Sequence, residues 1–339
     1  MYRGQTVAAV VPAYNEEDRV GSVIDDLPEY VDRVYAVDDC STDDTWSEIL
    51  EHTTDQERLP TPAAGEAPAR QSAIPDGGVN DGTQVIGIRH DRNQGAGGAL
   101  KTGYRHAERD GVDITVTIDA DGQMDPDRMD RLLDPIVEDR AGYAKGNRLA
   151  GSRLQAEMPR FRLLGNWLLT LLTRPASGYW RLRDPQNGYT AISREALSSI
   201  DVDAVPDDHD YPNDLLQRLN VVGVTVADVP MSAVYGDEES TIDFASFVPR
   251  TSTTLLRAFF RRLGRKRKRG QLTVPLLYTL GLLGVSFGLV TGAGWLLARL
   301  ADEGGRASTG AALFLIGVIA SLQAAVSDYH DDEATVIRE

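Results

Sequence analysis

The chain has 339 residues, of which 42% are hydrophobic, and a formal net charge of −16. This length and composition allow a large buried core, whereas the acidic balance argues against nonspecific nucleic-acid binding, which needs clustered basic side chains. The single cysteine, Cys40, excludes an intrachain disulfide and suits a reducing compartment. No secretory signal opens the chain, so we expect its N-terminal part in the cytoplasm.

Most acidic residues precede Thr251. They suggest the hypothesis of a cytoplasm with high salt, where screening makes the self-repulsion of such a surface tolerable. Loss of the fold on dialysis into dilute buffer would support this hypothesis, and full stability there would contradict it.

The first third of the chain contains four segments with the apolar, β-branched composition of buried strands, each followed by a turn. Three of these turns lead into helical patterns, an alternation typical of a parallel α/β sheet with ligands beyond the carboxyl ends of its strands. The strand-like segments are residues 6–11, 33–37, 84–88 and 114–118. Residues 52–83 have no apolar periodicity, and we interpret them as a flexible surface insertion.

The next part of the chain is less regular. Residues 127–138 have a helical pattern, and residues 143–148 are predicted to be an extension or an edge strand. Pro212 suits the first turn of a further helix, and residues 222–229 have a strand pattern.

Residues 161–172 form a separate helical pattern, rich in Leu and containing Trp167. Arginines flank this segment, which is typical of a helix lying at a membrane surface. The alternative is a core helix, because the apolar residues are too dense to define one clean face.

Two C-terminal segments, residues 272–298 and 307–327, contain no charged residue. Each is long enough to cross a hydrocarbon core of roughly 30 Å, so we predict a transmembrane hairpin. Eight of the thirteen residues 257–269 are Arg or Lys, which predicts a cytoplasmic position for this cluster and for both termini. The alternative is a buried helical hairpin in a soluble protein.

These patterns divide the chain into four parts. They are an α/β domain at 1–235 that includes the insertion, an amphipathic and basic juxtamembrane segment at 236–270, the transmembrane hairpin at 271–328, and an acidic cytoplasmic tail at 329–339.

Two carboxylates follow the fourth strand, in the segment 119–123 (Asp-Ala-Asp-Gly-Gln). Carboxylates one residue apart at a strand end rarely serve packing, and they are placed to hold a divalent cation. The alternative is that Asp119 caps a helix or turn and that Asp121 starts a tight Asp-Gly turn.

Three motifs occur in order at strand ends: residues 11–17 (Val-Pro-Ala-Tyr-Asn-Glu-Glu), 37–43 (Val-Asp-Asp-Cys-Ser-Thr-Asp) and 119–123. Together with residues 184–189 (Asp-Pro-Gln-Asn-Gly-Tyr), they resemble the family 2 glycosyltransferases of the GT-A fold, in the branch of the dolichol-phosphate mannose and glucose synthases. The resemblance covers residues 6–229, and the hairpin fits the same branch. It implies a Rossmann-like GT-A catalytic domain with interfacial helices.

The resemblance also implies a nucleotide-sugar site with Mg²⁺ or Mn²⁺. Asp119, Asp121 and the side-chain oxygen of Gln123 match the metal and diphosphate site of the family, where the cation neutralises the leaving diphosphate. Pro12, Tyr14, Glu16 and Asp39 are expected beside the base and ribose of the nucleotide sugar. Asn93, Gly95 and Gly97 are expected in a turn beside the nucleotide. For the turn at 93–98, tight strand-to-helix geometry is an equally open explanation.

Cys40 occupies a position where the family usually has Gly. A residue with a side chain is disfavoured at positive φ, so either the turn is relaxed here or some strain is accepted. We do not expect Cys40 to act as a nucleophile, since no paired His is evident.

The acceptor implied by the resemblance is a lipid phosphate, which needs positive charge to hold it in line behind the anomeric carbon. Arg148 and Arg162 match arginines of this branch, although Arg162 could instead anchor an interfacial helix to anionic lipid. Asp214 matches an acidic residue associated with acceptor handling. The alternative is that Asp214 is an ordinary acidic residue at a helix N-terminus, where its charge complements the helix dipole. The catalytic set is therefore Asp121, Arg148, Arg162 and Asp214.

The predicted reaction is transfer of a hexose, with inversion, from a UDP or GDP sugar to dolichyl or another polyprenyl phosphate, for protein N-glycosylation. One alternative is extension of a lipid-linked oligosaccharide or polysaccharide, although processive relatives carry a Gln-x-x-Arg-Trp motif that is absent here. Another is a catalytically silent sugar-nucleotide-binding membrane scaffold, against which the complete 119–123 motif argues.

Overall fold

The computed structural model describes residues 1–54, 59–60, 82–150, 160–231, 244–300, 308–331 and 336–338. Most of the predicted insertion, part of the juxtamembrane segment and the connection of the hairpin lie outside the described residues.

The described strands form one sheet in the order β3-β4-β2-β1-β5-β7-β6-β8-β9. Neighbouring strands are parallel except where β7 pairs antiparallel with β5 and with β6. The strands are β1 (Val7–Ala13), β2 (Arg33–Asp38), β3 (Leu59–Pro60), β4 (Gln84–Arg89), β5 (Ile114–Thr117), β6 (Tyr143–Asn147), β7 (Thr190–Ser193), β8 (Val226–Pro230) and β9 (Val336–Arg338).

Helices connect most of these strands, and a short 3-10 helix at Pro126–Arg128 follows the segment 119–123. The α-helices are α1 (Val20–Asp25), α2 (Thr45–Glu51), α3 (Ala96–Arg109), α4 (Asp130–Val137), α5 (Arg160–Ser177), α6 (Arg194–Ser198), α7 (Tyr211–Val222), α8 (Phe244–Lys268), α9 (Thr273–Leu300) and α10 (Ser308–Asp331).

The sheet is covered on both faces, which explains the continuous apolar composition of its central strands. In β1, Val7, Ala9 and Val11 belong to one core, whereas Ala8 and Val10 belong to the core on the opposite face. Side chains alternate between the faces of a strand, so a strand buried on both sides must be apolar throughout.

The structure corrects four details of the predicted sheet. It is mixed rather than parallel, and β6 lies between β7 and β8 rather than at an edge. β1 continues through Pro12, beyond the last residue that pairs with β5, so the missing N–H of Pro12 interrupts no bond to that strand. Leu59–Pro60, inside the predicted insertion, pairs with β4.

The predicted helix at 161–172 is α5, and it lies at the surface rather than in the core. Trp167 is 59% exposed, and Leu168, Leu171 and Leu172 are also exposed. Such a row of apolar side chains on one helix marks an interaction surface, which favours the interfacial interpretation over the core helix.

The C-terminal hairpin is formed by α9 and α10, which contain two stretches long and apolar enough to cross a membrane, Thr273–Trp295 and Gly310–His330. Glycines let the two helices approach closely. A Cβ on Gly284 would lie 2.7 Å from the Cα of Gly317, so neither position accepts a side chain without movement.

The sequence predicts a separate acidic tail at 329–339. In the structure, the described residues of this part belong to a helix and to the sheet. The helix α10 continues to Asp331, and β9 adds a parallel strand beside β8, with Val336 opposite Val226. The chain therefore returns from the hairpin to the sheet of the α/β domain.

Candidate functional site

The carboxyl ends of the central parallel strands bring the predicted motifs to one edge of the sheet. Ala13 at the end of β1 pairs with Asp38 of β2, and Asp38 pairs with Arg89 of β4. Val10 of β1 pairs with Thr117, the last residue of β5. The loops after these four strands therefore surround one region, as expected for a sheet of this type.

The loops after β1 and β2 are joined directly. The amide of Asn15 donates to Ser41 Oγ (3.0 Å), and the amide of Thr42 donates to Asn15 Oδ1 (2.9 Å). The amide of Glu16 donates to Thr45 Oγ1 (2.7 Å). These bonds hold the first two motifs as one unit.

Of the predicted nucleotide-site residues in the first motif, Tyr14 is exposed and Pro12 is half-buried in β1. The charge of Glu16 raises the pKa of Asp119, which places Glu16 near the carboxylates as well as beside the second motif.

The segment 119–123 begins directly after β5 and contains a tight turn. The amide of Gln123 donates to Asp121 Oδ1 (2.9 Å), and Gly122 has a φ of 71°. The Asp-Gly turn proposed as the alternative is thus present, and it directs the chain so that Asp121 and Asp119 remain close. The turn and a cation site are compatible, because the turn uses only Oδ1 of Asp121 and a carboxylate oxygen can accept a hydrogen bond and bind a cation at the same time.

Asp119 lies in an environment that disfavours a second negative charge. Burial, followed by the charge of Asp121, raises the pKa of Asp119 to about 7, and Arg148 opposes this shift. A Cβ on Gly188 would lie 2.9 Å from Asp119 Oδ2, so only glycine lets the 184–189 segment approach the carboxylate. A bound cation would stabilise two adjacent acids held in this way.

The donor set fits Mg²⁺ or Mn²⁺. Both ions prefer oxygen ligands and are bound through one or two carboxylates while phosphate and water complete the shell. Within the described part of the chain, no group of three or more His, Cys, Asp or Glu side chains is placed to hold a metal. The residues that would hold the ion are the oxygen donors of the predicted motif, Asp119 and Asp121, with Gln123 in the same turn.

Cys40 adopts the strained conformation that the sequence leaves open, with a φ of 63°. We expect Cys40→Gly to stabilise the protein by about 1 kcal/mol, because relief of about 1–3 kcal/mol of strain exceeds the roughly 0.5–1 kcal/mol entropy cost of glycine. Thermal unfolding of the full chain in detergent measures this difference. A lower midpoint for Cys40→Gly would contradict the assignment of strain.

Asp39 organises the glycine-rich turn. Its carboxylate accepts bonds from the amides of Gln94 (2.8 Å) and Gly95 (2.7 Å), and it pairs with Nδ1 of His90 (2.6 Å). The other nitrogen of His90 is bonded to Thr102 Oγ1 (2.9 Å). Asp39 thus connects the end of β2 to the turn before α3. His90, which directly follows β4, was not predicted as a site residue.

The glycines of this turn permit close packing. A Cβ on Gly95 would lie 2.6 Å from the carbonyl oxygen of Asp207, and a Cβ on Gly97 would lie 2.2 Å from that of Pro206. Asn93 is exposed, and its Oδ1 accepts a bond from the amide of Gly95 (3.0 Å). These contacts favour the geometric explanation of the glycines. A nucleotide contact stays a prediction.

Arg148 and Asp184 form a bidentate pair at the end of β6. Nε and Nη2 of Arg148 donate to the two carboxylate oxygens, at 2.7 and 2.9 Å. Burial alone would raise the pKa of Asp184, but Arg148 and Lys145 lower it below its ordinary value. The buried Lys145, whose pKa burial lowers to about 8, donates to the backbone carbonyl of Asp184 and was not predicted as a site residue.

The two remaining predicted catalytic residues lie in helices. Arg162 belongs to α5, and its side chain lies outside the described residues. Asp214 is buried in α7 and binds two arginines, Arg218 and Arg261, the second at 2.8 Å. Asp214 therefore connects α7 to α8, and a role in acceptor handling stays a prediction.

Comparison with known proteins agrees with this geometry. The chain matches the family described as "Glycosyl transferase family 2" over residues 8–62 and 66–201, which is more than half of its length. It belongs to this family of glycosyltransferases. The resemblance of the four motifs to family 2 is thereby confirmed.

Two relatives of this glycosyltransferase have names that specify a lipid phosphate as the acceptor. The UDP-N-acetylglucosamine–dolichyl-phosphate N-acetylglucosaminyltransferase of Methanococcus voltae is 30% identical over 227 residues, which cover 67% of this chain and 84% of the relative. The undecaprenyl-phosphate mannosyltransferase of Micrococcus luteus is 27% identical, over 67% of this chain and 83% of the relative.

The fold of the glycosyltransferase is also confirmed by a solved structure. Glucosyl-3-phosphoglycerate synthase from Mycobacterium tuberculosis, in complex with UDP, superposes with a TM-score of 0.50 and 22% identity. The match covers 76% of this chain and 80% of the synthase. The mixed α/β sheet is that of the GT-A fold.

Proposed function

We propose that this glycosyltransferase transfers a hexose from a nucleotide sugar to dolichyl or another polyprenyl phosphate, with inversion at the anomeric carbon. The observation that carries the proposal is the similarity to the Methanococcus voltae enzyme, which extends over 67% of this chain. The apolar hairpin supports it, because a polyprenyl acceptor must be reached from the membrane.

On the donor side, we assign Asp119 and Asp121 to a divalent cation. The cation would neutralise the charge that develops on the departing diphosphate. Asp121 is oriented by its bond from the amide of Gln123, and Asp119 is confined by Gly188. This confinement keeps the two carboxylates together when a nucleotide sugar binds.

On the acceptor side, a phosphate with a second pKa near 6 is largely ionised at neutral pH and needs no strong general base. Arg148 is suited to position it, since two N–H donors of its guanidinium are directed at Asp184 and fix the plane of the group. Burial and the charge of Asp121 raise the pKa of Asp119 and the charge of Arg148 opposes this rise, so Arg148 would lie on the same side of the site as the carboxylates.

The membrane geometry completes the proposal. The exposed apolar side chains of α5 and the basic end of α8 would lie at the cytoplasmic headgroup layer, next to the span of α9. Both termini would lie on the cytoplasmic side. For the C-terminal end, this follows because β9 pairs with β8 in the sheet of the α/β domain. Use of the product for protein N-glycosylation stays a prediction.

The test is an assay of the purified full chain with a panel of UDP and GDP sugars and a short-chain dolichyl phosphate, in Mg²⁺ or Mn²⁺. We expect a dolichyl-phosphate monosaccharide and a free nucleoside diphosphate in equal amounts, with none formed in excess chelator. Transfer to sugar acceptors but not to lipid phosphate would favour an oligosaccharide- or polysaccharide-extending enzyme. No transfer with any pair would favour a silent scaffold.

A further inference from the structure

A cavity of about 540 Å³ lies between α7, α8 and the loop that precedes α7. Its charged lining consists of two acids, Asp210 and Asp214, and three arginines, Arg250, Arg257 and Arg261. Of the predicted catalytic and nucleotide-site residues whose side chains the structure describes, only Asp214 lines it. A cavity of this volume can hold a small ligand, and its charged lining suits a polar one.

The acids form the deep part of this cavity, and their hydrogen bonds are directed at neighbouring side chains. Asp214 is 1% exposed, with one oxygen bonded to Arg218 and the other to Nη1 of Arg261 at 2.8 Å. Asp210 is also buried and accepts the hydroxyl of Thr254. Both carboxylates therefore hold the walls in place rather than repel an anion at the entrance.

The arginines lie nearer the entrance. Arg250 is 64% exposed, and Arg257 is also exposed. Arg250, Arg257 and Arg261 are spaced by seven and four residues along α8, which places them on one side of the helix. Arg250 pairs with Asp208 and Arg261 with Asp214, whereas Arg257 has no ion-pair partner among the described residues.

The cavity also adjoins an apolar surface. Leu256 and Phe260 are exposed on α8 immediately before Arg257 and Arg261, and α8 ends five residues before α9 begins. If the candidate span of α9 crosses a membrane, this part of α8 would lie near the lipid headgroups. Phosphate is the abundant anion at that depth, and arginine binds it with a fork of donors.

We propose that the cavity between α7 and α8 binds a phosphate group through Arg257 and Arg261. The phosphate belongs either to the headgroup of an anionic lipid or to a soluble phosphate. The lining of this cavity does not include Arg148 or the carboxylates assigned to the cation. The proposal is independent of the transfer reaction because its test measures binding alone.

The experiment uses the full chain in neutral detergent and has two arms. In the first, short-chain phosphatidylglycerol is titrated and bound lipid is counted by native mass spectrometry. In the second, inorganic phosphate is titrated and binding is followed by calorimetry. Wild type is compared with Arg257→Gln and with Arg140→Gln, which removes the same charge from an exposed position outside the cavity and outside α8.

We expect Arg257→Gln to weaken binding about tenfold in at least one arm, and Arg140→Gln to leave it unchanged. A loss in the lipid arm alone identifies a headgroup site, and a loss in the phosphate arm identifies a soluble phosphate, so each supports the proposal. Equal affinity of all three proteins, or an equal loss in both variants, would overturn it. Arg257 makes no ion pair with a described residue, so matching thermal midpoints verify that the variant is folded.

Discussion

Asp121→Asn is expected to reduce metal-dependent sugar transfer by a factor of about 10²–10³, the usual cost of removing one group that stabilises developing charge. The change removes one of the two carboxylates assigned to the cation. It should leave the turn intact, because the asparagine amide oxygen can still accept the bond that the amide of Gln123 donates to Asp121 Oδ1 at 2.9 Å. The measurement is the initial rate of nucleoside diphosphate release at increasing Mn²⁺ or Mg²⁺.

The matched control for this change is Asp127→Asn, which removes the same charge from an exposed position six residues away in the sequence. We expect this control to keep its activity and its metal dependence. The thermal midpoint of Asp127→Asn should equal that of wild type, and that of Asp121→Asn should be no lower, because neither change empties a packed position and the second relieves repulsion with Asp119. Near-normal turnover of Asp121→Asn with an unchanged metal optimum would contradict the metal assignment.

Asp328→Asn is expected to destabilise the protein by about 3–5 kcal/mol, because it leaves a buried arginine without its counter-charge. Arg262 is 2% exposed and Asp328 1% exposed, and Arg262 donates to both carboxylate oxygens. Lys266 binds the same carboxylate at 2.8 Å, and Arg262 also donates to the carbonyl of Pro175 (2.7 Å). This cluster connects α8 and α5 to the end of the hairpin.

Thermal unfolding of the full chain in detergent measures this loss. The control is Asp203→Asn, which breaks the ion pair with Arg105 on the exposed surface and should cost about 0–1 kcal/mol. The double variant Arg262→Met with Asp328→Leu should recover most of the lost stability, since replacement of a buried pair by apolar residues is often neutral. Equal midpoints for Asp328→Asn and Asp203→Asn would show that the cluster contributes little.

The parts of the fold that follow from local patterns were predictable. Buried strands such as β1 and β5 show continuous apolar runs, and α9 and α10 show charge-free stretches, because each depends only on the environment of its own residues. The antiparallel insertion of β7 and the addition of β9 were not predictable. A four-residue and a three-residue strand carry little pattern of their own, and their positions depend on partners distant in the chain.

The same division holds for the candidate site. Asp119 and Asp121 could be proposed as cation ligands from sequence, because two carboxylates one residue apart at a strand end are a local pattern of oxygen donors, and the family resemblance added Gln123. The roles of Asp39 and Arg148 could not be identified in this way. Their carboxylate and guanidinium groups bond to a turn 55 residues away and to a carboxylate 36 residues away, contacts that only the folded chain creates.

The resemblance of the strand-end motifs to family 2 was enough to indicate a glycosyltransferase, because these motifs are local in the sequence. Tertiary structure alone showed that Asp184 orients Arg148, that Asp214 links α7 to α8 at a second charged cavity, and that Asp328 joins the hairpin to the α/β domain. Ion pairs of this kind depend on distances between separate elements. A linear sequence records the charges but not which of them meet.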